Sequence, residues 1–300
     1  MSAVELVIAV PAAVGAAASF GTAGVLQHRA THETRQRRPL SPALLVDLVR
    51  LTAFRSGVLL GILGFSLQVL ALRFGPLILV QPLLVTGVLF YILVASAFGH
   101  HKVDGGLVAG VVMALSGLSV FLVVSNPSGG NGRFTSAAAL ALGLGLVGVV
   151  VVCLAVVAVA SSEVRTIPLA IATAVFYGAT AALVRSLTSQ RLDSSVFGDW
   201  QLYAIAVIGP AGFLLNQNAY QQGRFGSVAL GIITVGDPLV AIGLGVASLG
   251  EEIASTPWSV VGEVLSIVIM VGGVFLLAFR AQRLAEELQS RGQLPEQSPA

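Results

Sequence analysis

Charged residues are scarce in this chain of 300 residues. They make up 10% of the sequence, whereas a soluble globular domain carries about 25%. Apolar residues make up 56%, and the mean hydropathy is +0.92. Apolar runs of about 18 residues or more recur along the whole length, which is typical of a helical membrane protein with many spans. The composition therefore excludes a soluble globular protein.

Other features that would indicate an enzyme are also missing. The single cysteine, Cys153, lies in an apolar run and cannot form a disulfide within the chain. The sequence has no Cys/His metal spacing, no nucleophile elbow and no phosphate-binding loop, so we expect neither an enzyme nor a cofactor. The net charge of +2 is too small to favour a nucleic-acid partner. Without a nucleotide-binding domain, any transport must be driven by gradients or by a partner.

The apolar runs predict nine membrane-spanning helices, each long enough to cross about 30 Å of hydrocarbon. The first expected span takes the place of a cleavable signal peptide, because Met1 to Gln27 has no basic leading region. The expected spans are 4–27, 54–72, 76–98, 105–125, 136–160, 167–187, 199–218, 227–248 and 258–279. An alternative for 42–53 is an amphipathic helix that lies in the membrane interface.

The basic residues predict how the chain is oriented. Twelve of the sixteen fall on the side that contains the long loop 28–53, and four fall on the other side. The positive-inside rule then places this loop and the C-terminal tail 280–300 in the cytoplasm and the N-terminus outside. A strong bias toward Ala, Gly, Val and Arg suggests a bacterial genome, so we expect a bacterial inner membrane protein.

A short phrase occurs twice and indicates an internal repeat. Arg73-Phe74-Gly75 precedes one apolar run, and Arg224-Phe225-Gly226 precedes another, 224 − 73 = 151 residues later. Five expected spans separate the two copies, so they enter the membrane from opposite sides. We therefore expect two inverted repeats, of five spans in 1–160 and four spans in 161–279. This organisation is typical of secondary transporters.

Polar residues at membrane depth are costly and are candidates for function. Asp237 lies midway along the eighth expected span, next to Pro238, and is the strongest candidate for a charged substrate-binding group. Gln81-Pro82 forms a similar pair in the third expected span. Proline removes a backbone hydrogen bond, so both helices are expected to bend near a midplane site. A structural acid and an ordinary interhelical hydrogen bond are the alternatives.

Further polar residues extend this expected substrate site. Gln68, Gln217 and Asn218 would supply neutral polar contacts. Glu263, with Glu251 and Glu252, would form an acidic vestibule on the outer side, although a solvated loop is the blander interpretation of the latter pair. Asp237 and Glu263 are the candidate ligands for a metal ion. Tyr91, Tyr177 and Arg185 are interpreted as packing residues.

Glycine is abundant. The chain has 34 glycines among its 300 residues, whereas glycine averages about 7% of the residues in proteins. Several glycines are clustered at short spacing within the expected spans. We expect these clusters to lie on helix faces that pack closely or slide against each other. They comprise Gly57, Gly61, Gly64, Gly143, Gly145, Gly148, Gly243 and Gly245.

The chain resembles the drug/metabolite transporter superfamily, and within it the NIPA-like branch. The resemblance rests on 19–24 (SFGTAG), on Phe74-Gly75-Pro76 leading to Gln81-Pro82, on Gly250-Glu251 and on the long basic loop, and it covers about residues 10–280. The superfamily resemblance implies two inverted repeats of five spans each. The NIPA-like branch is usually drawn with nine spans, and resemblance to it implies magnesium transport. The chain departs from the pattern at His100, where an acid is common, and at Asp237, where none is expected.

The sequence thus favours a gradient-driven carrier that moves a small solute or a divalent cation, magnesium included, by alternating access. One alternative is a translocase for a lipid or a lipid-linked sugar, and another is an exporter of small metabolites. A third is a membrane scaffold that transports nothing. The expected partners are the substrate and the lipid bilayer, and the sequence leaves open whether the chain forms a homodimer.

Overall fold

The computed structural model describes residues 3–32, 43–97, 105–126, 130, 132, 134, 136–159, 165–190, 194–220, 226–252 and 256–290. These residues form helices joined by short turns. The helices are α1 (Ala3–His32), α2 (Ala43–Val49), α3 (Thr52–Phe74), α4 (Leu77–Leu84), α5 (Gly87–Ala97), α6 (Gly105–Ser125), α7 (Ser136–Val159), α8 (Thr166–Thr188), α9 (Trp200–Tyr220), α10 (Gly226–Ser248) and α11 (Pro257–Ser290).

The protein is an all-α, multi-pass membrane protein. Seven segments of the described chain are long and apolar enough to cross a membrane, namely those in α1, α3, α6, α8, α10 and α11 and the combined segment of α4 and α5. Helices also occupy the two remaining expected spans, as α7 and α9. The described apolar part of α7, Gly143–Val159, is shorter than the others. The polar side chains Asn216, Gln217 and Asn218 lower the hydropathy of α9.

The third expected span is divided into α4 and α5, as expected for a proline-disturbed helix, whereas the eighth is continuous. After Pro82 the backbone hydrogen bonds span three residues rather than the four of an α-helix, since the N–H of Thr86 donates to the carbonyl of Leu83 at 3.1 Å. The Thr86 hydroxyl donates to the same carbonyl at 2.7 Å and so stabilises the break. Pro238, in contrast, lies inside the uninterrupted α10.

The helices pack as two similar sets of three. In one set α1 packs against α3 and against α4 and α5, and in the other α8 packs against α9 and α10. Helices α6 and α11 form a separate closely packed pair, and α7 lies mainly against α8. The largest cluster of buried apolar side chains joins the two sets, because it includes Leu72, Leu77, Ala182 and Leu244.

Glycines produce the closest helix contacts, and they do so in the same way in both sets. A side chain on Gly21 of α1 would overlap the carbonyl of Gly87 in α5, and a Cβ on Gly178 of α8 would lie 2.7 Å from the carbonyl of Asp237 in α10. Likewise, a Cβ on Gly64 of α3 would lie 2.9 Å from the Phe20 ring. These positions require glycine for steric reasons.

The expected packing role of glycine is wrong for the α7 cluster and for Gly243 of α10, where a Cβ would meet nothing within 4 Å. A Cβ on Gly143, Gly145 or Gly148 would meet nothing within 4 Å. The reason is the peripheral position of α7, which leaves this face without a neighbouring helix among the described residues. Gly57, by contrast, does pack, since its Cβ would lie 2.9 Å from Gln27.

Candidate functional site

A cavity of about 560 Å³ lies between the two three-helix sets. It is lined by α1, α3, α8, α9 and α10, together with α5 and the break that precedes it. Most of its walls are apolar or glycine. The polar lining residues are Gln27, Gln68, Tyr91, Tyr177, Thr180, Asn216, Tyr220, Thr234 and Asp237. The interrupted third span contributes Leu84, Val85 and Gly87. Its break therefore faces the cavity directly.

Asp237 is the one acidic residue among the described residues that line this cavity. Its side chain is half-buried, and its Oδ1 atom has no hydrogen-bond partner in the described part of the protein. The contact between Gly178 and the Asp237 carbonyl holds the backbone at this point. A carboxylate that the protein leaves unpaired in an apolar cavity is available to a substrate or to a proton.

Three tyrosines from three different helices surround the same part of the cavity. Tyr91 comes from α5, Tyr177 from α8 and Tyr220 from α9. Asn216 also lines the cavity, and its buried Oδ1 has no hydrogen-bond partner among the described residues. The His28 ring packs edge-on to Tyr220, with the ring centroids 5.6 Å apart. We call Tyr91, Tyr177 and Tyr220 the aromatic wall of this cavity, which Asp237 also lines.

Sequence reasoning interpreted Tyr91 and Tyr177 as packing residues and did not single out Tyr220. The sequence offered no signal that separates them, because all four tyrosines lie in helices that line the cavity and Tyr220 is the last residue of α9. Gln27 was missed as well. It lies near the end of α1 at a depth that the sequence alone does not distinguish from the loop.

The expected polar contacts divide into two groups. Gln68 lines the cavity, as Asp237 does, whereas Gln217 and Asn218 do not. The Gln217 amide donates to Gln27 Oε1 at 2.9 Å, and Gln27 in turn donates to the Gly57 carbonyl at 3.2 Å. Asn218 donates to the carbonyl of Leu214 in its own helix at 2.8 Å. Gln217 therefore ties α9 to α1 rather than facing the cavity.

Gln81 and Glu263 lie outside the cavity. Gln81 is fully buried in α4, and neither polar atom of its amide has a hydrogen-bond partner among the described residues. Glu263 is buried on α11, on the helix that packs against α6, and its Oε1 is also unpartnered within the described chain. The two metal-ligand candidates, Asp237 and Glu263, are therefore not brought together in this cavity. No group of three or more His, Cys, Asp or Glu in the described residues could hold a metal ion.

The cavity also reaches the surface of the helix bundle at one side. Helices α3 and α9 both line it but are not a closely packed pair, although the Phe54 and Phe213 rings approach to 6.2 Å between centroids. Ile62 and Phe65 on α3 are lining residues with exposed side chains, as is Pro210 on α9. We call this region, with Ile205 and Gly209, the side opening.

A second acidic residue, Glu251, has a very different environment. It is buried, and its carboxylate accepts hydrogen bonds from the N–H groups of Leu77 at 2.8 Å and Ile78 at 3.1 Å, at the start of α4. Two otherwise unpaired N–H groups at a helix N-terminus are thus satisfied by an anion. Gly250, with φ of 65°, allows the chain to turn so that Glu251 reaches this position.

Two arginines make further contacts in this region: Arg185 pairs with Glu251, and Arg73 binds backbone carbonyls at the end of α8. The Arg185 Nε lies 3.5 Å from Glu251 Oε1, and Arg185 also donates to the Leu72 carbonyl at 2.8 Å. Arg73 donates to the carbonyls of Thr188 and Gln190, the latter at 2.9 Å. Burial raises the pKa of Glu251, and its backbone hydrogen bonds and Arg185 oppose that shift. We call Glu251 and Arg185 the charge cluster.

The acidic vestibule expected from the sequence is therefore wrong for Glu251. Its carboxylate is buried and joins the ends of helices from both sets, and only Glu252 is exposed. The interpretation of Arg185 as a packing residue was closer, but it missed the ion pair. Three residues far apart in sequence, Leu72, Arg185 and Glu251, meet only in the tertiary structure.

Comparisons with known proteins show similarity along nearly the whole chain but do not identify a function. A protein of Corynebacterium glutamicum, described as uncharacterised, is 20% identical over 274 residues, which cover 90% of this chain and 94% of that protein. No protein-family model matches the chain. No solved structure matches it either.

Proposed function

We propose that this protein is a gradient-driven carrier that moves a small solute through the central cavity by alternating access. The observation that carries the proposal is the unpaired Asp237 carboxylate in a cavity between two similar helix sets. Secondary transporters place their sites near the midplane, at the interface of two repeats and beside interrupted helices. The break at Val85 and the Asp237 side chain both face this cavity.

The similar packing of the two sets supports the inverted repeat. In both, a glycine of the first helix meets a backbone carbonyl of the third, at Gly87 in one set and Asp237 in the other. We propose that the nine expected spans all cross the bacterial inner membrane, with the N-terminus outside and the C-terminus in the cytoplasm. The scaffold alternative is disfavoured, since a scaffold needs no cavity with an unpaired acid.

The cavity walls favour an organic solute over magnesium. Magnesium keeps several water molecules when it binds to proteins, and these waters need polar partners. One carboxylate in mostly apolar walls provides few of them, and Glu263 lies elsewhere. Magnesium transport, which the resemblance implies, is therefore the less favoured reading of this site.

A lipid or a lipid-linked sugar is the second candidate substrate, and the side opening favours it. A carrier for a membrane-embedded molecule needs a route between two helices, and α3 and α9 are not closely packed. The charge of Asp237 argues against lipids with an anionic head group, because an anion would be repelled by the carboxylate.

Thiol accessibility tests the carrier function without knowledge of the substrate. Thr180 lines the cavity and is small, so Thr180→Cys in a Cys153→Ser background should fold and place one thiol in the cavity. We expect a small membrane-impermeant thiol reagent to label it both in right-side-out and in inside-out vesicles. Labelling from both sides follows from alternating access, because each state opens the cavity to one aqueous phase.

The matched control is Gly145→Cys, which lies on the unpacked face of α7. We expect no labelling there, because a thiol in lipid does not ionise and only the thiolate reacts. Labelling of Thr180→Cys from one side only would contradict alternating access. Labelling from neither side, in a folded protein, would favour the scaffold.

A further inference from the structure

The charge balance of the cavity limits what it can bind. Asp237 is acidic, and none of the described lining residues is Lys, Arg or His. The described lining residues therefore contribute one acidic group and no basic one, and His28 lies behind the ring of Tyr220. An unpaired carboxylate in an apolar environment is costly, and a ligand with one positive charge removes that cost.

The aromatic wall favours the same kind of ligand. Tyr177 and Tyr220 come from different helices and line the same cavity as Asp237. A cation within about 6 Å of a tyrosine ring is attracted to the face of the ring, most strongly where water is excluded. A carboxylate and several tyrosines together suit an organic ammonium group, which has a single charge and weakly hydrated substituents.

The side opening accounts for the apolar part of the ligand. Ile62, Phe65, Ile205 and Pro210 form an apolar surface that is continuous with the cavity. A volume of about 560 Å³ is within the range of roughly 300–1,000 Å³ found for sites that enclose drug-sized ligands. Such a ligand can place its charged group at Asp237 and its apolar body between α3 and α9.

We propose, on the basis of the carrier function above, that the substrate is a monovalent organic cation with an apolar body. Its cationic group binds to the Asp237 carboxylate and faces the tyrosines of the aromatic wall. Its body occupies the side opening, next to Gly209.

The first test uses two probes of the same shape and opposite charge, tetraphenylphosphonium and tetraphenylborate, with Mg²⁺ as a third. The purified protein is examined by thermal unfolding and by calorimetric titration. We expect tetraphenylphosphonium to raise the unfolding temperature, because a ligand that binds only the folded state stabilises it. Tetraphenylborate and Mg²⁺ should have no such effect. A shift with tetraphenylborate equal to that with tetraphenylphosphonium would overturn the proposal.

Asp237→Asn and Asp237→Glu locate the charged group. We expect the affinity for tetraphenylphosphonium to fall at least about tenfold in Asp237→Asn and to be largely retained in Asp237→Glu. An unchanged dissociation constant in a folded Asp237→Asn protein would overturn the assignment of the cationic group to Asp237.

Gly209 and Gly243 provide a matched pair for the apolar body. A Cβ at either glycine meets nothing within 4 Å, so both Gly209→Phe and Gly243→Phe should fold. Only Gly209 lines the cavity, and its new ring would fill the side opening. We expect Gly209→Phe to weaken tetraphenylphosphonium binding at least about tenfold and Gly243→Phe to leave it unchanged. Equal affinities in the two variants would overturn the placement of the body.

These results are separable from the proposed carrier function. If Thr180→Cys is labelled from both sides while tetraphenylphosphonium does not bind, the protein is a carrier and the substrate class is wrong. If Thr180→Cys is labelled from one side only while tetraphenylphosphonium binds at Asp237, the ligand class stands and alternating access fails.

Discussion

Two acidic residues near the same helix, Asp237 within α10 and Glu251 just after it, have opposite environments. Glu251 is buried with two backbone N–H donors and the Arg185 guanidinium around its carboxylate. Asp237 faces a cavity, and its Oδ1 has no partner among the described residues. The Glu251 carboxylate therefore has hydrogen-bond and ion-pair partners within the protein, whereas Asp237 Oδ1 has none among the described residues.

This difference separates a structural acid from a candidate functional one. The contacts of Glu251 connect α4 and α8, so its removal should be measured as a loss of stability. Asp237 costs free energy in the empty protein, and a ligand can recover that cost on binding. Gln81 and Glu263 also have buried polar atoms without a partner among the described residues, but of these three residues only Asp237 lines the cavity. The combination of an unpaired oxygen and a place in the cavity wall points to function more strongly than depth in the membrane alone.

The largest expected effect is on stability, from Glu251→Gln. The amide lacks the negative charge and can accept hydrogen bonds with one oxygen only, so the buried Arg185 loses the carboxylate that lies 3.5 Å from its Nε. Removing one member of a buried ion pair costs about 3–5 kcal/mol. The free energy of unfolding, measured by reversible denaturation in detergent, should fall by this amount. Glu252→Gln, at an exposed position, is the control and should change it by less than about 0.5 kcal/mol. Equal stabilities for the two variants would mean that the charge cluster does not stabilise the fold.

A smaller loss of stability is expected from Gly178→Val, at the close contact between α8 and the Asp237 backbone of α10. Gly178→Val places a branched side chain against the Asp237 carbonyl and the Val240 side chain, and it should destabilise by about 1–3 kcal/mol. Gly145→Val, on the open face of α7, should have almost no steric cost. Thermal unfolding of the two variants side by side measures the difference. If they unfold at the same temperature, the close contact between α8 and α10 does not exist in the protein.

The smallest expected effect on stability comes from Asp237→Asn. Asparagine has nearly the same shape and no charge, and no described partner of Oδ1 is lost. We expect the free energy of unfolding to change by less than about 1 kcal/mol, or to increase. A loss as large as that of Glu251→Gln, in the same denaturation experiment, would show that Asp237 is a structural acid and would remove the contrast between the two residues.

Much of the helix arrangement could be predicted from the sequence. Helices occupy all nine expected spans, because a long apolar run in lipid must be helical to satisfy its backbone. The bounds differ most at α11, which continues to Ser290, and in the third span, which is divided into α4 and α5. The site was only partly predictable. Asp237 and Gln68 were expected from their polarity within apolar runs, and both line the cavity. Other polar residues within apolar runs do not line the cavity, since the depth of a residue does not determine the direction of its side chain. These are Gln81, Gln217, Asn218 and Glu263.

The sequence by itself determined that the chain is an all-α membrane protein with a single acid at mid-depth in α10. Hydropathy and helix length decide these properties locally. Only the tertiary structure decided that Asp237 is unpaired and shares a cavity with three tyrosines, whereas Glu251 is paired with Arg185. The partners of a carboxylate come from helices far apart in sequence. Their meeting depends on how α3, α4, α8 and α10 pack, which no local pattern specifies.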